Sequence, residues 1–455
     1  VTMFTFINGS LNAGTQRFLT FELGRGDIVQ LKELFSTAIV IYTFLAMIIL
    51  FLAETIGLWF LLNKMNFAPG RLNAAIWVYQ FSIIACMVSI IQVPFMAALV
   101  AHEKFNMYAY MSIYDAVMKL AIVFLLTFAP FDKLIFYAFL ILLVSTSSAV
   151  IYNWYCRKHF VECRFSWSFD KSVFKKMFSF SAWDIVGSVA VLGQIQGVNI
   201  IINLFCGTIV NAAYGIANTV NNIINTFAAN IIIAASPQIV KSYAQKHLDE
   251  MFSLVINSAK MSSYLLLIIG IPVFVEIEFL LKIWLGEYPS YAPLFLRIIL
   301  VQSWVKTLGE PTVRALHAIG NIKLLNIVVG VILLLILPIT YFLLRFGYPP
   351  EIALGANIIL WTVAIPIRLM LLRRYSGFPV MAYIKEVIVL GLVIATICFV
   401  VPYIVHVIYE YESWVQLLLV CFVSVITSGF VILFLGFSKN QRTQIMNKVK
   451  RALRI

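Results

Sequence analysis

The sequence predicts an all-α membrane protein that crosses the bilayer many times, and three observations support this fold class. Of the 455 residues, 62% are hydrophobic and 12% are charged, with a mean hydropathy of +0.96. Soluble domains carry about 25% charged residues, so this composition excludes a soluble enzyme and a disordered chain. The apolar residues fall in runs of about 20, the length of a membrane-spanning helix. Alternating strands with aromatic girdles are absent from the sequence, which leaves helices as the spanning elements.

Thirteen apolar runs are predicted to span the membrane, and most of the short loops between them contain Gly, Pro, Asn or charge. The runs are 1–20, 34–61, 73–101, 106–129, 134–155, 180–205, 209–235, 254–275, 292–318, 324–345, 351–371, 384–408 and 413–436.

The distribution of Lys and Arg predicts the orientation of the chain. Of these 33 cations, 24 fall in one alternating set of loops or in the C-terminal tail, and 6 fall on the opposite side. By the positive-inside rule, the tail lies in the cytoplasm. The net charge of +13 is therefore an orientation signal rather than a sign of nucleic-acid binding. Thirteen spans then place residue 1 outside, so we expect a parent protein with 14 helices, whose first helix is absent here.

An internal repeat predicts two lobes. Ala13–Gln16, with Phe21 and Asp27, matches Ala235–Gln238, with Tyr243 and Asp249, at a constant offset. Six helices per repeat give both lobes the same orientation, as in parallel-repeat transporters. The predicted regions are an N-terminal lobe 1–155, a linker 156–179, a C-terminal lobe 180–372, two extra helices 373–436 and a basic cytoplasmic tail 437–455.

The linker contains one amphipathic stretch, Ser166–Phe180. Bulky apolar residues, among them Trp167 and Phe169, alternate there with lysines. This pattern predicts a short helix at the membrane surface, and the alternative is an extension of the next spanning helix.

Charged residues inside the spans are the first candidates for function, because each costs about 2.5–3.5 kcal/mol to insert. Asp115 and Lys119 are one turn apart, and form either a structural pair or a polar cavity wall. Lys306, Glu310 and Arg314 form one stripe with net charge +1. This stripe is either a structural triad or a wall that leaves one cation available to an anionic ligand.

Other polar residues lie at helix ends or in an amide stripe. Arg17 is either a functional cation or a positive-inside anchor, and Asp184 is favourable at a helix N-terminus in any case. The amides of Asn218, Asn222 and Asn225 follow the spacing of one helix face. They suit sugar hydroxyls, or they bond to neighbouring helices.

Enzyme and metal signatures are missing from the sequence. There is no P-loop, GxSxG or HExxH motif, and the six cysteines and five histidines have no metal-ligand spacing. The sequence therefore predicts a protein that is not an enzyme and has no cofactor.

Six stretches carry a resemblance to a known family: Val1–Ser10, Gln16–Gly24, Asn211–Gly215, Ser236–Lys241, Trp284–Pro289 and Ala318–Lys323. They resemble the polysaccharide repeat-unit flippases of the Wzx type, for O-antigen or capsule. These flippases belong to the MOP superfamily, which also holds MATE exporters and lipid II flippases. The resemblance covers essentially the whole chain and implies a 14-helix fold with two six-helix lobes.

The resemblance implies alternating-access transport of undecaprenyl-diphosphate-linked oligosaccharide from the cytoplasmic to the periplasmic leaflet. It implies that cavity cations hold the diphosphate, here Arg17, Lys119, Lys306 and Arg314. It implies that polar and aromatic groups contact the sugar, here Asn218, Asn222, Asn225 and Trp183. Carboxylates that could couple transport to H+ or Na+ are Asp115, Asp184 and Glu310. The implied partners are membrane lipids and the polymerase and chain-length proteins of the same pathway.

Two alternatives stay open. A MATE-type cation-coupled multidrug exporter should have 12 helices and an acidic cavity, whereas the charges within the spans here sum to +1. A polysaccharide polymerase or ligase should carry a large external loop, whereas the longest one predicted here is about 276–291.

Overall fold

The computed structural model describes residues 2–64, 70–128, 132–164, 170–408, 413–439 and 442–443, and these residues form helices and connecting turns without a strand. The helices are α1 Thr2–Arg25, α2 Ile28–Asn63, α3 Leu72–Ala101, α4 Phe105–Thr127, α5 Lys133–His159, α6 Lys171–Ala244, α7 Leu248–Val275, α8 Ile277–Leu285, α9 Ala292–Ile319, α10 Lys323–Arg345, α11 Pro350–Ser376, α12 Val380–Ile408 and α13 Trp414–Gly436.

The predicted all-α polytopic fold is confirmed. Within the described residues, ten helices are long and apolar enough to cross a membrane. Each of the thirteen predicted runs overlaps a helix, and two of the runs share α6. Helices α1 and α9 are less apolar than these ten helices. Helix α9 falls short because it contains Arg297, Lys306, Glu310 and Arg314.

Helix α6 is 74 residues long and contains two of the predicted spans. At 1.5 Å per residue it measures about 110 Å along its path, far more than the 30 Å bilayer core. Gly207 interrupts it with φ 80° and ψ −178°, a conformation that glycine adopts without strain. The break falls in the gap 206–208 between the two predicted runs.

The start of α6 differs from the predicted surface helix. Residues 171–180 are continuous with α6, which is the helix-extension alternative for this stretch. Asp170 caps the helix by accepting from the backbone N–H of Ser172 at 2.6 Å, which explains why the helix begins there. Trp167, Phe169 and most of the predicted tail lie outside the described residues.

The chain forms two compact units. The first contains Val1–Ser188 and Val240–Lys246, so it includes the predicted linker as well as the predicted N-terminal lobe. Its central helix, α3, packs against α1, α2 and α5, and Phe35, Leu99 and Cys156 are buried in the core.

The second unit contains Val189–Ile239 and His247–Ile455. Here α9 packs against α7 and α11, while α12 and α13 pack against each other and against α7. Helix α9 thus packs in the second unit as α3 packs in the first. Helix α3 comes six helices earlier in the chain. This correspondence supports the internal repeat predicted from the sequence.

Candidate functional site

A cluster of charged residues lies between α9 and α11 in the second unit. Glu310 lies in the electrostatic field of three cations, Lys306 and Arg314 on its own helix and Arg368 on α11. Three cations against one carboxylate give this cation cluster a net charge of +2. Within a membrane-spanning bundle such a charge is costly, so the cluster is a candidate site for an anionic ligand.

Arg368 is the most deeply buried member of the cation cluster, with 4% of its surface exposed. Its Nε and Nη1 atoms are buried and have no hydrogen-bond partner among the described residues. Buried guanidinium nitrogen atoms without a hydrogen-bond partner are unfavourable, and the planar donors of an arginine match a phosphate group. Arg368 would therefore gain stability from an anion at this position.

Trp361 lies close to two cations of the cluster. The Nζ atom of Lys306 is 5.3 Å from the Trp361 ring centroid, and the guanidinium carbon of Arg368 is 5.4 Å from it. Trp361 is itself buried. At these distances the ring attracts both cations through its π face and holds two like charges in one small region.

The backbone of α9 is adapted to the cation cluster by Gly309 and Pro311. A Cβ atom on Gly309 would lie 2.9 Å from Nη1 of Arg368, so only glycine leaves the guanidinium its present position. Pro311 lies inside the helix and lacks the N–H that would bond to the residue four before it. Side chains bond two neighbouring carbonyls: Thr312 Oγ1 donates to Gly309 O at 2.6 Å, and the Tyr383 hydroxyl of α12 donates to Leu308 O.

Sequence reasoning identified the α9 stripe but missed Arg368. The positive-inside count assigned Arg368 to a cytoplasmic loop, whereas the structure places it inside α11 and buries it. The loop assignment was wrong because three arginines stand close together there, and only Arg373 and Arg374 are exposed. The available signal was the helical spacing of Asn357, Trp361 and Arg368, which share one face of α11.

The first unit contains a separate polar cavity of about 520 Å³ between α1, α3, α4 and α5. Asp115 and Lys119 line it and form an ion pair of 2.6 Å on one face of α4. The rest of the wall is rich in hydroxyl and amide groups. Asn12 Oδ1 and Ser148 Oγ in this wall are buried without a hydrogen-bond partner among the described residues. The cavity can therefore accept a ligand with hydroxyl groups.

Arg17 lies in an aromatic environment in the first unit. Its guanidinium carbon is 4.5 Å from the ring centroid of Phe18, 5.2 Å from Phe21 and 5.7 Å from Phe180. Gly14 lets α1 approach α6 closely here, since a Cβ on it would lie 2.8 Å from Ser181 Oγ. Trp183 and Asp184 are partly buried in the following turn of α6.

The three predicted sugar-contacting asparagines have three different environments. Asn225 Nδ2 donates to Ser303 Oγ at 3.0 Å, and Ser303 donates to Asn221 Oδ1 at 2.8 Å. Asn218 bonds the backbone carbonyl of Tyr214 at 2.9 Å, and Asn222 is exposed. Asn225 therefore joins α6 to α9, which is the inter-helix alternative for this amide.

A second amide chain joins three helices nearby. Gln194 of α6 donates to Asn357 Oδ1 of α11 at 2.6 Å, and Asn357 donates to Gln302 Oε1 of α9 at 3.2 Å. These bonds fix the register of α9 and α11 one to three turns from the cation cluster. Across the part of the chain that the structure describes, no three His, Cys, Asp or Glu side chains are grouped to hold a metal ion.

No protein-family profile and no curated protein matches this sequence. Solved structures do match it in fold. The chain superposes on a MATE transporter in complex with MaL6 with a TM-score of 0.72 and 11% identity, over 82% of this chain and 85% of that one.

Two further structures match over similar lengths. One is the outward-facing conformation of a multidrug resistance MATE transporter of the MOP superfamily, with a TM-score of 0.70, 11% identity and coverage of 82% and 85%. The other is a MOP superfamily transporter from Pyrococcus furiosus whose binding pocket is described as reversed in polarity, with a TM-score of 0.69, 11% identity and coverage of 83% and 85%. This chain therefore has the fold of the MATE transporters of the MOP superfamily.

Proposed function

We propose that the protein is a flippase that moves a polyprenyl-diphosphate-linked oligosaccharide across the inner membrane for surface polysaccharide biosynthesis. The observation that carries this proposal is the cation cluster with its buried Arg368, two of whose nitrogen atoms have no hydrogen-bond partner among the described residues. A diphosphate is a compact polyanion, and Arg and Lys are the side chains that recognise it. Transport follows alternating access, and the basic tail lies on the cytoplasmic side.

The residues of the second unit divide the work of holding the diphosphate. Arg368 and Lys306 offer N–H donors close to the Trp361 ring, and Arg314 adds charge two turns after Lys306 on α9. The carboxylate of Glu310 balances the charge of one cation. That cationic side chain can pair either with Glu310 or with the diphosphate, and this change of partner keeps binding reversible. Glu310 is also one of three candidates, with Asp115 and Asp184, for coupling transport to H+ or Na+.

The first unit supplies groups suited to a sugar. The wall of its polar cavity presents hydroxyl and amide groups that donate and accept, as sugar hydroxyls require. Lys119 and Arg17 add cations from α4 and α1. Within the proposal, these residues contact the head group of the transported lipid, together with Trp183.

A multidrug exporter is the second candidate, and the shared fold with MATE transporters favours it. Cationic drugs need an acidic site, and the +2 charge of the cation cluster repels them. Drug resistance that the gene confers on a susceptible strain, with no change in surface polysaccharide, would favour the exporter.

The proposal is tested by substituting Arg368 in the gene that encodes this protein. Arg368→Gln removes the buried charge, whereas Arg373→Gln makes the same change at an exposed position of the same helix. In cells that depend on this gene, we expect Arg368→Gln to abolish surface polysaccharide at normal membrane protein levels and Arg373→Gln to preserve it. Normal polysaccharide in the Arg368→Gln strain would contradict the proposal.

A further inference from the structure

A polar chamber of about 740 Å³ lies at one end of the second unit and shares no residue with the cation cluster. It forms where α7 meets α8, where α9 begins, and where α12 ends and α13 begins. The polar residues of this chamber are Glu276, Glu278, Arg297, His406 and Gln416.

The polar chamber is acidic. Glu276 is 3% exposed, and its Oε1 lies 2.7 Å from His406 Nδ1 and 3.4 Å from Gln416 Nε2. Glu278 is half-exposed and bonds to Arg297 Nη2 at 2.8 Å. Two carboxylates against one guanidinium give a formal net charge of −1 among the described lining residues, the histidine not being counted.

Gln416 adds an acceptor that the protein leaves unused. The residue is 5% exposed, and its Oε1 is buried without a hydrogen-bond partner among the described residues. A buried amide oxygen in this state is unfavourable and gains from an N–H or O–H donor. Glu276 Oε1 and Glu278 Oε2 are used in the bonds above, so the second oxygen of each carboxylate and Gln416 Oε1 are the three acceptors that remain for a ligand. A primary ammonium has three donors.

An apolar groove of about 330 Å³ adjoins the polar chamber and runs along α7, α9 and α12. Phe274 and Phe399 belong to the walls of both, with ring centroids 5.6 Å apart in a T-shaped arrangement. From Phe274 the groove extends to Leu266, about 12 Å along α7. A polar chamber joined to an apolar groove matches a molecule with a polar head and a hydrocarbon tail.

We propose that the polar chamber and the apolar groove bind one aminophospholipid, with its primary ammonium on Glu276, Glu278 and Gln416, its phosphate on Arg297, and one acyl chain in the groove. The net charge of the polar chamber disfavours an anionic lipid or a polyprenyl diphosphate. A choline head group lacks the N–H donors that the three acceptors require. This binding site does not depend on the proposed transport function, because none of its residues belongs to the cation cluster.

Native mass spectrometry of the full chain tests this proposal, with phosphatidylethanolamine, phosphatidylcholine and phosphatidylglycerol that carry the same acyl chains. We expect the unsubstituted protein to retain phosphatidylethanolamine over the other two lipids. Glu278→Gln should reduce this preference by about fivefold, the effect of one partly exposed ion pair. Glu250→Gln, an exposed glutamate at the start of α7, is the matched control and should leave the preference unchanged.

A second variant tests the apolar groove without changing charge. Val301 lines the groove and is 40% exposed, so Val301→Trp should fill the groove and reduce phosphatidylethanolamine retention at an unchanged melting temperature. Equal retention of the three lipids would overturn the proposal. A preference that survives both Glu278→Gln and Val301→Trp would also overturn it. Tighter binding of undecaprenyl phosphate than of phosphatidylethanolamine would assign the chamber to an anionic lipid and reject the aminophospholipid.

Discussion

At the scale of single residues, the position of the Arg368 guanidinium decides whether the cation cluster can bind a diphosphate. Burial to 4% exposure, two nitrogen atoms without partners and the nearby Trp361 ring all act on one side chain. The charge alone is not sufficient, because the exposed Arg373 carries the same charge one turn later. What distinguishes Arg368 is a position that the missing side chain of Gly309 makes available.

Gly309→Ala should therefore weaken anion binding without removing any charge. The new Cβ would lie 2.9 Å from Nη1 of Arg368, and the flexible end of that arginine must move away. We expect the affinity of the purified protein for undecaprenyl diphosphate to fall by about tenfold, the loss of roughly one charge-assisted hydrogen bond. Gly355→Ala on α11 is the control, since a Cβ there meets nothing within 4 Å. An unchanged affinity in Gly309→Ala would show that the position of Arg368 is unimportant.

At the scale of elements, hydropathy alone located the helices. It did not show where a helix begins or whether two neighbouring runs belong to one helix. All thirteen predicted runs overlap helices because apolar length is a strong signal. The start of α6 at Lys171 could not be predicted from apolar length. An amphipathic stretch with lysines looks the same in sequence whether it lies on a surface or extends a spanning helix. The break at Gly207 was anticipated in position, although its backbone conformation was not.

Gly207→Ala should destabilise the protein. The residue has φ 80° and ψ −178°, a region that side chains with a Cβ avoid. We expect a loss of about 1–3 kcal/mol, measured as a lower apparent melting temperature in detergent. The matched control is Gly215→Ala, eight residues later in the chain, where the backbone has no positive φ and a Cβ meets open space. Equal melting temperatures for the two variants would contradict a backbone conformation at residue 207 that only glycine adopts without strain.

The start of α5 predicts a pH dependence outside the spans. Asp132 accepts from the backbone N–H of Leu134 at 2.9 Å, and these N–H bonds and Arg71 lower its pKa below the ordinary value. An aspartate whose pKa is lowered by folding stabilises the protein when ionised. Its contribution is present above the ordinary pKa of 3.8 and is lost as the pH falls through the lowered value.

Asp132→Asn should accordingly melt at a lower temperature than the unsubstituted protein at pH 7. The difference should stay constant down to about pH 5 and close below about pH 4, as the Asp132 carboxylate is protonated. Melting temperatures of both proteins at intervals between pH 7 and pH 3 provide the measurement. A difference that persists undiminished at pH 3 would mean that the ionised carboxylate does not stabilise α5.

At the scale of the whole molecule, composition and periodicity were sufficient for the fold class, and the internal repeat agrees with the packing order in the two units. The candidate site was predicted in part. Lys306, Glu310 and Arg314 stand out because charges within an apolar run are rare. Arg368 does not, because its neighbours Arg373 and Arg374 make it look like a loop residue. The amides were ambiguous for a physical reason: the same group that suits a sugar also bonds helices together, as Asn225 does.

The central claim is that the cation cluster binds a diphosphate attached to a lipid. The most direct measurement is the affinity of the purified full chain for undecaprenyl diphosphate, compared with uncharged undecaprenol, in Arg368→Gln and in the control Arg373→Gln. We predict that the control binds the diphosphate more tightly than the alcohol. In Arg368→Gln the affinity for the diphosphate should fall by at least about tenfold, while the affinity for the alcohol stays unchanged. Equal diphosphate affinity in the two variants, or equal affinity for diphosphate and alcohol in the control, would contradict the claim.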